Sequence, residues 1–173
     1  GMTLLAVTVL GHDRPGIIAD TTAALAGLGL NLEDSTMTLL RGHFSFMLIC
    51  AGDASRDAVD AALAPLATDG MLDVSVREVA EEQQQEPRGA QFQLAVHGAD
   101  RPGIVSALTG VIAAVGGNVT DLSTRLAGHL YVLLAEVDIP AETDMPALLT
   151  RLTQVADELG VDASLRPVEP DLL

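Results

Sequence analysis

The 173-residue sequence contains no lysine and no tryptophan, and it has a single cysteine, Cys50. Without lysine the chain can form neither a lysine Schiff base nor the lysine contact of a phosphate-binding P-loop. Cys50 has no partner for an internal disulfide, which is typical of a reducing compartment. Aromatic residues make up only 2% of the chain, so Leu, Val, Ile and Ala must supply its core.

Basic residues are also scarce, since 9 arginines stand against 24 acidic residues and the formal net charge is -15. Phosphate backbones and anionic lipids repel so acidic a chain. We therefore expect no direct binding of nucleic acid and no membrane attachment. The first apolar run, Leu4–Leu10, is too short to span a bilayer and no basic residue precedes it. We expect no signal peptide and a cytoplasmic protein.

One sequence motif, DRPGI, occurs twice. Residues 12–17 read HDRPGI, and residues 99–104, 87 positions later, read ADRPGI. The same offset aligns further identical residues, namely Thr22 with Thr109, Gly29 with Gly116, Asn31 with Asn118 and Asp34 with Asp121. Beyond Asp121, GHF at 42–44 matches GHL at 128–130, which predicts that the second copy lacks one residue. The pattern indicates two diverged copies of one unit.

Each copy shows the same order of apolar periodicities: strand, helix, two strands, helix, strand. The two central strands are joined by short turns, predicted at Arg41-Gly42 and at Ala127-Gly128. The order βαββαβ predicts an α+β fold with two ferredoxin-like domains, each a four-stranded antiparallel sheet with both helices on one face. We expect domain 1 at residues 1–79, a linker at 80–90 and domain 2 at 91–173.

The other face of each predicted sheet has no helix from its own copy. An apolar sheet face needs a partner to bury it. We therefore expect the copies to pair with each other or with a second chain, and we expect a homo-oligomer.

The Asp-Arg-Pro-Gly motif lies between the predicted first strand and first helix of each copy. Pro15 and Pro102 fit the first helical position. Gly16 and Gly103 then fall inside the first turn, where glycine is less favourable than alanine. A backbone without Cβ leaves the amides at the helix start open to an anion such as a carboxylate.

Polar side chains near this turn match the other groups of an amino acid. Asp13 and Asp100 can accept hydrogen bonds from an ammonium group, and Asn31 and Asn118 can donate to a carboxylate. A zwitterionic α-amino acid fits this set. The alternative stays open, because Asp, Pro and Gly also build tight turns that bind nothing, and an Asn after a helix can be a simple cap.

Tandem βαββαβ copies that open with DRPGI and continue to GLNLED or GGNVTDL resemble ACT domains, in particular the two-domain family related to the glycine cleavage system transcriptional repressor. The resemblance covers about residues 3–79 and 91–168. It implies small regulatory modules without catalytic activity that bind a small amino acid where domains meet. The ligand-binding residues that it implies are His12, Asp13, Arg14, Gly16, Ile17 and Asn31, then Ala99, Asp100, Arg101, Gly103, Ile104 and Asn118.

The resemblance also implies a protein partner, either a transcription factor or a metabolic enzyme. An acidic repressor of this kind would act through another protein and not by contact with DNA. The two copies differ where His12 aligns with Ala99 and where Leu30 aligns with Gly117. The two sites therefore need not bind the same ligand.

Neither copy carries a nucleophile–base pair or clustered carboxylates, so we expect no enzyme, no catalytic residue and no cofactor. His43 and His129 recur after the hairpin glycine, but no second ligand lies at metal-binding spacing, so we expect no metal site. Three alternatives stay open. The chain can be a purely structural interaction module, a detached regulatory module for an amino-acid or one-carbon metabolic enzyme, or an enzyme whose site is assembled across the copies.

Overall fold

The computed structural model describes residues 2–80 and 89–168. The chain divides into two compact units between residues 83 and 84. Residues 81–88 of the predicted linker lie outside the described residues, and β5, the first strand of unit 2, begins at Gly89.

Unit 1 has the predicted order of elements around one antiparallel sheet. The strand order is β2-β3-β1-β4. The elements are β1 (Thr3–His12), α1 (Ile17–Ala26), β2 (Asn31–Leu40), β3 (His43–Gly52), α2 (Arg56–Leu63) with a 3-10 turn (Ala64–Ala67), and β4 (Leu72–Glu78). The two-residue join between β2 and β3 lies at Arg41-Gly42, as the sequence predicts.

Unit 2 repeats this architecture with the strand order β6-β7-β5-β8. Its elements are β5 (Gly89–Ala99), α3 (Ile104–Ala114), β6 (Asn118–Ala127), β7 (Leu130–Pro140), α4 (Met145–Leu159) and β8 (Val161–Pro167). The predicted fold class, two ferredoxin-like βαββαβ units, is confirmed. The join between β6 and β7 is Gly128-His129, one position after the predicted one.

The predicted loss of one residue from the second copy is wrong. Gly11 pairs with Phe44 in unit 1, and Gly98 pairs with Tyr131 in unit 2, so the offset of 87 continues through both central strands. Side chains alternate between the two faces of a strand, and an offset of 86 would turn every core residue of one copy outward. The match of GHF with GHL is therefore out of register, and Leu130 occupies the place of His43.

Each sheet buries one face under its helices. In unit 1, Leu5 and Val7 of β1 pack with Leu48 of β3 and with Leu25 of α1. Cys50 belongs to this core and is fully buried. The corresponding core of unit 2 contains Leu94, Leu133, Leu108 and Leu152. Aliphatic residues supply most of both cores, as the composition requires, and Phe44 and Phe46 of β3 are also buried in the core of unit 1.

The opposite face and one edge of each sheet keep apolar residues exposed. On the helix-free face, Leu10 and Met47 of unit 1 are 43% and 46% exposed, and Leu134 of unit 2 is 43% exposed. The edge strand β2 is exposed at every residue except Thr38, which is half-buried. A long exposed edge strand offers unpaired backbone groups to another strand.

Across the two described ranges, no helix has the length and apolar character needed to cross a membrane.

Candidate functional site

The turn between the first strand and the first helix has nearly the same backbone in both units. Gly16 is the residue before α1 and has φ 85° and ψ 0°, and Gly103 before α3 has φ 90° and ψ 2°. The prediction that Pro15 and Pro102 occupy the first helical position is wrong, because the helices begin at Ile17 and Ile104. The glycines lie outside the helix in a left-handed conformation that other residues adopt only under strain.

The starts of α1 and α3 are open. A Cβ added to Gly16 or Gly103 would meet no atom within 4 Å. Within the described ranges neither helix has a side-chain cap, so first-turn N–H groups have no side-chain partner. The second helix of each unit differs, since Ser55 caps α2 and Asp144 caps α4, accepting from backbone N–H groups at 3.1 Å in each case. An uncapped helix start is suited to bind an anion.

The arginine of the turn has a different partner in each unit. Arg14 Nη1 lies 3.0 Å from Asp20 Oδ2, on the first turn of α1. Arg101 Nη1 donates instead to the carbonyl of Glu158, near the end of α4, at 3.4 Å. Position 107 of α3, the equivalent of Asp20, is Ala107. The two helix starts therefore differ in local charge.

The remaining predicted residues of each turn lie together but not all of them are accessible. Asp13 and Asp100 are exposed, and the backbone N–H of Asp13 donates to the carbonyl of Gly42 at 3.2 Å. Ile17 and Ile104 are 3% and 2% exposed, because their side chains belong to the two cores. Only the backbone of these isoleucines can take part in binding a ligand at the helix start.

Asn31 lies at the other end of the sheet from the turn of its own unit. It pairs with Ala51, which pairs with Leu4 near the start of β1, whereas His12 at the end of β1 pairs with His43. Eight residues of strand separate Leu4 from His12, which is about 26 Å at 3.3 Å per residue. No amino acid bridges that distance. The turn and the asparagine of one unit therefore do not form a single site.

Asn118 has the equivalent place in unit 2. It pairs with Asp138, next to Gln91, while Ala99 at the end of β5 pairs with Leu130. Asn31 and Asn118 are both exposed and begin the edge strands β2 and β6. The structure thus brings together the turn residues of each unit and places each asparagine apart from them.

Sequence reasoning missed two groups that hold the arginines, Asp20 and the Glu158 carbonyl. The spacing of Arg14 and Asp20 was a usable signal, because a residue before a helix can reach its first turn. The Glu158 carbonyl belongs to another helix, and only the fold reveals it. Among the described residues no three His, Cys, Asp or Glu side chains converge as a metal site.

Comparison with known proteins agrees with the predicted resemblance to ACT domains. The family model for the ACT domain matches residues 3–77 and 90–166. The glycine cleavage system transcriptional repressor of Escherichia coli K12 is 27% identical over 173 residues, which covers 95% of this chain and 90% of the relative. A crystal structure of an unknown protein from Galdieria sulphuraria has a TM-score of 0.76 and 30% identity, covering 98% of this chain and 100% of that one. A second structure, described as a candidate glycine cleavage system transcriptional repressor, has a TM-score of 0.72 at 18% identity, covers 98% of this chain and 99% of that one, and shows the shared fold.

Proposed function

The chain belongs to the ACT domain family, and from this premise we propose that it is a non-catalytic regulatory protein. In this proposal it binds a small amino acid at junctions of its domains and thereby changes its affinity for a protein partner. The partner is a transcription factor or a metabolic enzyme. The name of the Escherichia coli relative, a transcriptional repressor, supports the regulatory part of the proposal.

The observation that carries the proposal is the pair of open helix starts. In both units a left-handed glycine precedes a helix whose first N–H groups have no side-chain cap in the described structure, while the second helix of each unit is capped. These N–H groups and the positive end of the helix dipole suit the carboxylate of an amino acid. Asp13 and Asp100 are exposed beside them and suit its ammonium group.

For Asn31 and Asn118 to take part, the proposed site has to lie at a junction. Each asparagine is about 26 Å from the turn of its own unit, so it can complete a site only with the turn of a different unit or copy. A ligand held in this way contacts two bodies at once, and its binding favours one arrangement of them over others. This is how an amino acid would change the surface that a protein partner meets.

The experiment is a set of thermal melts of the full chain with each of the twenty amino acids at millimolar concentration. A ligand at 100 times its Kd adds about 2.7 kcal/mol to the free energy of unfolding, which raises the melting temperature by several degrees. We expect one or two amino acids to give such a shift. The shift should be lost in Asn31→Ala and Asn118→Ala and kept in Gln154→Ala, which removes an exposed amide from α4.

One observation favours the second candidate, a purely structural interaction module. The left-handed φ of Gly16 and Gly103 accounts for both glycines without any ligand. On this alternative no amino acid shifts the melting temperature, and Asn31→Ala changes no small-molecule signal. That result would overturn the proposal of a sensor.

A further inference from the structure

Two histidines face each other across the sheet of unit 1. His12 ends β1, His43 begins β3, and the two are direct partners in the antiparallel ladder. Their ring centroids are 5.1 Å apart, and the ring planes are tilted by 38°. Both residues are exposed. The two imidazoles therefore lie side by side at the surface, open to solvent.

The backbone on either side of the pair is held by hydrogen bonds. The N–H of His12 donates to the carbonyl of Met71 at 3.3 Å, and the N–H of Asp13 donates to the carbonyl of Gly42 at 3.2 Å. The turn that precedes His43 has two residues, Arg41 and Gly42, with φ values of 49° and 81°. Two-residue turns with positive φ at both positions fix the register of a hairpin. The backbone positions of the two histidines are thus set before any ligand arrives.

The spacing of the rings matches what one metal ion requires. Zinc binds an imidazole nitrogen at about 2.0–2.1 Å in tetrahedral sites, and that nitrogen is about 1.1 Å from its ring centre, so two rings on one ion have centroids about 5 Å apart. The observed distance is 5.1 Å. We propose that His12 and His43 form a two-imidazole binding site for a divalent transition-metal ion of the zinc kind.

The chemistry of the surroundings supports this assignment. Imidazole is a preferred ligand of zinc, copper and nickel. The chain carries a formal net charge of -15, which raises the local concentration of cations. Because the described part of the chain contains no set of three converging His, Cys, Asp or Glu residues, water or a donor from solution completes the coordination. The site is therefore an open one with exchangeable positions, unlike a closed structural zinc site.

Unit 2 is a natural control, because it lacks the pair. Ala99 occupies the place of His12 and pairs with Leu130, which occupies the place of His43. His129 lies in the turn between β6 and β7 and not in the ladder. His97 has a carboxylate beside it, with its Nδ1 3.8 Å from Asp162 Oδ2. That pair offers a metal ion one imidazole and not two.

The test is a calorimetric titration of the full, untagged chain with Zn²⁺ alone, with no amino acid present. We expect one saturable site per chain. His12→Ala and His43→Ala should each weaken binding by about tenfold or more, because either change removes the chelate. The double variant should be little weaker than the single ones, since the two rings act as one unit. His97→Ala and His129→Ala should bind Zn²⁺ like the unchanged chain.

Melting curves of each variant without metal show whether it folds, and both replaced side chains are exposed, so we expect the folds to persist. Binding that is retained in His43→Ala, or lost in His97→Ala, would overturn the site. The absence of saturable binding below about 1 mM Zn²⁺, a free energy of roughly -4 kcal/mol, would overturn it as well. His43 is outside the residues assigned to the amino acid, so its replacement leaves the sensor proposal untouched.

Discussion

Gly16 and Gly103 hold almost the same backbone conformation, φ 85° and φ 90°, at the start of equivalent helices in two units whose sequences have diverged. Both positions are exposed, and neither has a neighbour within 4 Å of an added Cβ. The requirement for glycine therefore comes from the backbone angle and not from crowding. Glycine has no side chain that could cap the first turn of the helix, which links the local conformation to the proposed anion site.

We expect Gly16→Ala to destabilise unit 1. A left-handed conformation costs an alanine about 1–2 kcal/mol relative to glycine. In a domain of this size, each kcal/mol lowers the melting temperature by about 4–8 °C. Differential scanning calorimetry of the full chain measures the change. An unchanged melting temperature would mean that the turn relaxes to an ordinary φ in solution.

Gly110→Ala is the matched control, and we expect the opposite sign. Gly110 lies inside α3, is exposed, has no positive φ, and its Cβ would meet nothing within 4 Å. Alanine in place of an unconstrained helical glycine stabilises by about 0.5–1 kcal/mol. A rise in melting temperature for Gly110→Ala together with a fall for Gly16→Ala would separate backbone strain from the general effect of adding a methyl group.

On the proposed function, amino-acid binding should couple Asn31 to an aspartate that is not in its own unit of the same chain. Double-mutant cycles with Asp100→Ala test a junction between the two units, and cycles with Asp13→Ala test a junction between copies. Residues that contact one ligand are expected to couple by about 0.5–3 kcal/mol. Calorimetric binding constants of the unchanged chain, the two single variants and the double variant give the coupling energy of each cycle. Coupling of Asn31 with Asp13 in a chain shown to be monomeric would contradict the separation of about 26 Å between them.

Periodicity alone was sufficient to predict the βαββαβ order, because strands and helices with one buried face carry distinct apolar spacings. It was not sufficient at the turns. Pro15-Gly16 is compatible with a helix start and with a left-handed turn, and only the backbone angle of Gly16 decides between them.

The register of the strands was the second feature that the sequence did not predict. GHF and GHL share two letters, yet ladder pairing places Leu130 and not His129 opposite the end of the first strand. The facing of His12 and His43, which lie 31 positions apart, depends on the same pairing. For the same reason, the separation of about 26 Å between Asn31 and the turn was not visible in a motif whose parts look close along the chain.

Self-association should depend on the edge strand β2. Met37 on this strand is 50% exposed, and Met71, which precedes β4, is 51% exposed. A lysine on an exposed edge strand opposes pairing with another strand. We expect Met37→Lys to reduce the mass seen by size-exclusion chromatography with light scattering, and Met71→Lys to leave it unchanged. A monomeric unchanged chain, or equal effects of the two substitutions, would refute the proposed role of this edge.

The thiol of Cys50 should be inert in the folded chain. It is fully buried, with Sγ 3.7 Å from the carbonyl of Leu5. Burial raises the pKa of this thiol, and the charge of Glu33 acts in the same direction. Because the thiolate is the reactive form, we expect iodoacetamide to modify the native chain far more slowly than the chain in guanidinium. Equal rates in the two states would show that the core of unit 1 opens readily.

The raised pKa of Cys50 also gives stability a pH dependence of known sign. The folded chain holds the thiol proton more tightly than the unfolded chain, so this contribution to the free energy of unfolding is complete below the ordinary thiol value of 9.0 and is lost as the pH rises through the folded value. Urea melts at a series of pH values from neutral to alkaline should show the decline. Cys50→Ala removes the titrating group, and its curve should decline less steeply over the same range. Identical slopes for the two chains would mean that Cys50 titrates alike in the folded and unfolded states.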